Sequence, residues 1–123
     1  MAELTTAGYQ SLRNYVNSES ASPPPWDYIE LYDETQSAIT RVSITGDTRC
    51  QWLDADGDNT LQVEISLQGS DADIPQPTTI KYSALWDASS GGNQLTPQEQ
   101  FAEATLNQDG DSVVITHSLN IPQ

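Results

Sequence analysis

The sequence predicts a mainly β protein: an antiparallel β-sandwich of six to seven short strands with a short N-terminal α-helix. Three observations lead there. From residue 26 onward apolar residues recur at every second position, most cleanly at Leu61, Val63, Ile65 and Leu67. Clusters of Asp, Asn, Gly, Ser and Pro interrupt that alternation at short, regular spacing. A chain of 123 residues can bury one core but not two ordinary ones, so the strands must pack on one another.

The helix comes first. Thr5 or Thr6 supplies the cap, and Tyr9, Leu12 and Val16 fall on one face. Gly8 inside it lowers helix stability by about 1 kcal/mol relative to Ala. The helix therefore has to dock its Leu12 and Tyr15 side, either on its own domain or on a neighbour. Residues 17–25, NSESASPPP, are polar and end in three prolines that cannot continue a helix. Residues 1–25 are thus expected to form a helical arm with a proline-rich linker, and residues 26–123 the sandwich domain.

Trp26 to Asp33 reads as a strand buried on both faces, with Ile29 and Leu31 opposite Tyr28 and Tyr32. The DETQS turn follows, then a strand from Ala38 to Thr45 that Gly46-Asp47 breaks. Arg49 to Leu53 is short, with Cys50 and Trp52 on opposite sides of Gln51 and so on one face. Thr60 to Gln68 is a half-buried strand. Thr79 to Asp87 alternates Ile80, Tyr82, Ala84 and Trp86 against Lys81, Ser83 and Leu85. Thr96-Pro97-Gln98-Glu99 has the form of a helix start, a cap followed by Pro and then Glu, and predicts one helical turn. Phe101 to Leu106 and Ser112 to Ile121 complete the strands. His117 lies on the apolar side of the last one, between Ile115 and Leu119, and is expected in a core or an interface.

Charge narrows the function. Four Lys and Arg against eighteen Asp and Glu give a formal net charge of −14. Such a body repels phosphate, which argues against nucleic acid and anionic membranes as partners. Its self-repulsion predicts support from a homo-oligomer, bound cations or a larger assembly. Cys50 is the only cysteine, so no intramolecular disulfide forms, and assembly in a reducing cytoplasm is expected. The first residues show no basic and apolar export pattern, and no stretch approaches the roughly 20 apolar residues of a membrane helix.

Chemistry is sparse. Asp54, Asp56 and Asp58 alternate in DADGDN and are weak candidates for calcium, with Asp71, Asp73, Asp109 and Asp111 in further acidic loops. The run departs from an EF-hand at its fourth-place glycine and at Ile65, where a bidentate Glu belongs. The commoner reading is a solvated hairpin turn. One His and one Cys cannot build a zinc site, and no G-x-S-x-G elbow or phosphate cradle occurs. The acids sit in polar turns, where burial cannot raise a pKa for general-acid work. No enzyme and no cofactor are expected. Trp26, Trp52 and Trp86 could stack on sugars, but each falls on a strand where core packing is the ordinary explanation.

Residues 84–95, ALWDASSGGNQL, resemble the ALWDAATGGN-L segment of small accessory structural proteins of tailed bacteriophages, of the tail-fibre, minor-tail or head-associated type. Leu4-Thr5-Thr6-Ala7-Gly8 is similar to the LTNAG-type start of the same proteins. The resemblance implies a β-sandwich that builds virions and is assembled in the bacterial host cytoplasm with other virion proteins. It favours a tail, fibre or baseplate-associated component, with a capsid decoration protein as the alternative within that class. A carbohydrate-binding β-sandwich module is the alternative outside it. Leu4, Leu12, Tyr15, Val16 and Trp86 are the expected interface residues, and closure of the local core is their other reading.

Overall fold

Alternation along the chain becomes two facing sheets. The computed structural model describes residues 4–10, 27–54 and 60–120. Its strands are β1 (Tyr28–Asp33), β2 (Ala38–Ser43), β3 (Cys50–Asp54), β4 (Thr60–Gln68), β5 (Thr78–Trp86), β6 (Glu99–Leu106) and β7 (Ser112–Asn120). One sheet has the order β2-β1-β5-β6 and the other β3-β4-β7, with every pairing antiparallel. The chain lays down one hairpin in each sheet, returns to the first for β5 and β6, and crosses again for β7. This is the antiparallel sandwich that the sequence predicts.

The core lies between the sheets. Val63, Ile65 and Leu67 of β4 and Ile115 and Leu119 of β7 face Ile29 and Leu31 of β1 and Ile80 and Leu85 of β5, all of them buried. β1 is covered on both faces, as its composition suggests: Glu30 and Tyr32 on the outer side are buried as well. In β5 the structure corrects the simple alternation. Leu85 and Ser83 pair with Ile29 and Leu31 and point inward, whereas Tyr82, Ala84 and Trp86 take the outer face. A register shift between Ile80 and Tyr82 then turns Ile80 back into the core. A strict period of two cannot show such a bulge.

The helical turn expected at Thr96 is absent. Thr96 is fully buried, its hydroxyl accepts the Leu85 N–H at 3.0 Å, and Glu99 opens β6. Both side chains of the would-be capping box serve tertiary contacts instead, so the helix start has no cap.

At the N-terminus residues 6–10 are helical, and Thr5 is the cap: its carbonyl accepts Tyr9 N–H at 3.0 Å and its hydroxyl accepts Gly8 N–H at 3.2 Å. Leu4 belongs to the core cluster at 6% exposure, and Ala7 packs against that cluster. The first turn of the arm is therefore built into the sandwich. The expected remainder of the helix, with Leu12, Tyr15 and Val16, and the proline-rich linker lie outside the described residues, as does Trp26.

Candidate functional site

Scarcity of positive charge organises the polar contacts. Arg49, just ahead of β3, gathers three carboxylates from two loops. Its Nε and Nη2 donate to Asp47 at 3.0 and 2.8 Å, Nη1 and Nη2 donate to Asp73 at 2.9 Å each, and Nη1 donates to Asp71 at 3.0 Å. Two bidentate forks on one planar guanidinium hold the β2–β3 connection to the β4–β5 connection. Thr40 of β2 adds a hydroxyl to Asp73 at 2.8 Å. Hydrogen bonds from Arg49 hold Asp47 and Asp73 below the ordinary carboxylate range, and the same bonds push the guanidinium further up. Asp71 and Asp73, expected as possible calcium ligands, thus have an internal cation.

Other aspartates serve their own turns. Asp33 accepts from Thr35 and Ser37, and Asp111 from the Asn107 and Gln108 amides, which keeps both carboxyls low. Burial would raise Asp27, but bonds from Ser43 and Thr45 outweigh it. Asp54 ends β3 opposite Leu61 in β4. Its side chain, and Asp56 and Asp58, lie outside what the structure describes. Among the described residues no group of three or more His, Cys, Asp or Glu is placed to hold a metal ion.

His117 ties the two sheets together. It is completely buried on β7, with Nδ1 2.7 Å from Ser83 Oγ on β5 and 3.3 Å from Glu99 Oε2 on β6. On the opposite side Nε2 lies 3.3 Å from Thr96 Oγ1. A carboxylate beside Nδ1 favours a proton there, and Nε2 then accepts from the Thr96 hydroxyl while that oxygen accepts from Leu85. Burial lowers the imidazole to about 4, so it is neutral near pH 7 and its approach to Glu99 is a polar contact of a neutral ring. Ser, His and Glu meet here, but the serine and the carboxylate crowd the same ring nitrogen. A nucleophilic triad needs them on opposite nitrogens. The grouping is a buried polar crosslink, and His117 sits in the core as its apolar neighbours predict.

Trp86 anchors the loop that follows β5. The Arg41 guanidinium stacks on its ring at 3.9 Å, and its Nε1–H donates to Tyr32 Oη at 2.8 Å. Arg41 also grips Glu30 at 2.5 Å and donates to the carbonyls of Ala88 and Gly91 at 3.0 and 2.8 Å. Asp87 takes the Asn93 N–H at 2.7 Å, and Gly91 and Gly92 supply the left-handed backbone between them, φ 61° and 74°. The loop closes on the Trp86–Gln94 bridge.

On that closed loop rests the N-terminal arm. Thr5 N–H donates to Leu95 O at 2.8 Å and Thr5 Oγ1 to Gln94 O at 2.6 Å, while Gly8 lies so close to the Leu95 carbonyl that a Cβ would collide with it. Leu4 and Trp86, two of the expected interface residues, thus occupy one end of the molecule. Leu4 is buried in the chain's own core and unavailable to a neighbour, whereas Trp86 is partly exposed.

Sequence reasoning missed Arg41 and Arg49 as organisers. The signal was present: with four basic residues against eighteen acids, each buried or half-buried Arg must gather several acceptors. Nothing in the sequence paired His117 with Ser83, Thr96 and Glu99. No family model matches this chain, and neither a curated protein nor a solved structure matches it.

Proposed function

We propose that the chain is a non-enzymatic structural protein of a tailed-bacteriophage virion, a tail, fibre or baseplate-associated component held by subunit contacts. One observation carries the reading. The two segments that resemble phage accessory proteins, 4–8 and 84–95, are far apart in sequence yet bonded to each other through Thr5, Gln94 and Leu95. Two likenesses that meet in one packed unit support each other more than two scattered ones. The roles of the polar groups agree with a structural part, since His117 links the sheets and the paired aspartates brace loops or form turns.

The carbohydrate-binding alternative is weaker on this geometry. Trp86 has Arg41 stacked on its ring, and Trp52 packs against the core. Neither ring is set out as a free platform for a sugar. The test of the virion reading is mass spectrometry and immunogold electron microscopy of particles purified from lysates that contain the chain. Label on the tail, fibre or baseplate is the expected result. Label over the capsid surface would select a decoration protein instead, and absence from purified particles would refute both.

A further inference from the structure

β7 has a property that no other described strand shares. Its sequence, SVVITHSLN, contains no Asp, Glu, Lys or Arg, while each of the other six strands contains at least one. It is also nine residues long and an edge, paired along its whole length with β4 and, among the described residues, with nothing on the other side. Long, uncharged edges invite another strand, and proteins ordinarily blunt them with Lys, Pro or bulges.

Backbone polarity identifies which groups face that edge. Asp111 O accepts from Gly69, so the odd-numbered backbone groups turn toward β4. Ser118 N–H donates to Glu99 Oε2 at 3.0 Å, consistent with even-numbered groups turning away. Glu99 closes the edge at position 118. Ser112, Val114 and Thr116 remain, all with exposed side chains, and Val114 at 60% is the most exposed large apolar residue described.

We propose that a second copy of this chain pairs there, β7 antiparallel to β7 about a two-fold axis at Val114. That register sets Val114 opposite Val114 of the partner subunit and Ser112 opposite Thr116 of the partner subunit. The open window is centred on 114, so each outward N–H meets an outward C=O, and the exposed valine is covered by its own mate. The occupant is a second copy because the outward groups at 112, 114 and 116 are self-complementary about Val114, and because two bodies of charge −14, which repel across most contacts, meet here along a strand that brings no carboxylate of its own to the seam. The two three-stranded sheets become one continuous sheet. The inference stands apart from the virion reading and is tested on purified protein.

Sedimentation equilibrium of the full chain over a wide concentration range is expected to show a monomer–dimer equilibrium. Val114→Glu, which sets two carboxylates directly opposite, is expected to raise the dissociation constant about tenfold or more, with the melting of the monomer unchanged because the site is exposed. Val114→Cys is expected to give a covalent dimer on mild oxidation, since facing Cα atoms lie about 5.5 Å apart in such a pair. Gln51→Cys on the far edge strand β3 is expected not to crosslink. A mass that stays monomeric at all concentrations, a dimer indifferent to Val114→Glu, or equal crosslinking at position 51 would each overturn the proposal.

Discussion

The buried His117 makes folding stability depend on pH in a calculable way. Its imidazole is lowered by burial from 6.5 to about 4, so between those values the unfolded chain binds a proton that the folded chain refuses. Stability is then complete above pH 6.5 and falls as pH drops toward 4, the sign expected when a base has its folded pKa depressed. Linkage over that interval gives a loss of about 2 kcal/mol by pH 5 and about 3 kcal/mol by pH 4. One local contact works against this: Glu99 Oε2, 3.3 Å from Nδ1, would welcome an imidazolium. Burial is expected to win, because the ring has no solvent exposure at all. The assay is urea unfolding from pH 7 to 4.5, beside an NMR titration of the His117 ring. His117→Gln should flatten the dependence in that window. A ring that titrates at or above 6.5, or a pH dependence that survives in His117→Gln, would refute the reasoning.

Four further outcomes are expected. Arg49→Met leaves Asp47, Asp71 and Asp73 side by side without their cation, a destabilisation of about 2 kcal/mol by thermal or urea melting, between a surface pair and a fully buried one. In that variant millimolar calcium should recover part of the loss, and have little effect on the parent chain. Asp47 and Asp73 have depressed folded pKa values, so their stabilisation is present above about 3.8 and is lost as pH falls below it. Gly8→Ala separates a docked arm from a free one by sign: a free helix would gain about 1 kcal/mol, whereas collision with the Leu95 carbonyl makes the change destabilising in a melt. Cys50 is pushed up to about 12 by burial and by Asp47, so a thiol reagent should label it only at the rate of unfolding.

Much of the fold was legible because burial and alternation are local in sequence. β4 runs from Thr60 to Gln68 as its alternation predicts, and the other strand ends coincide with expectation or differ from it by one or two residues. Where the reading failed, a distant group had intervened. Thr96 and Glu99 look like a helix start, but Leu85, His117 and Ser118 draw their side chains away. Asp71 and Asp73 look like cation ligands, but Arg49 lies 22 and 24 positions away along the chain and beside them in space. Ile80 shares its parity with Trp86, yet a bulge sends the two to opposite faces.

By itself the sequence determined the class of fold, the acidity and the presence of a single thiol, because these follow from period, charge and counts. Tertiary structure alone decided which strands are edges, where each Arg finds its carboxylates, that His117 bridges the sheets, and that Leu4 belongs to the core. Those depend on contacts between residues far apart in the chain, and a one-dimensional pattern holds no information about which distant partner reaches a given atom first.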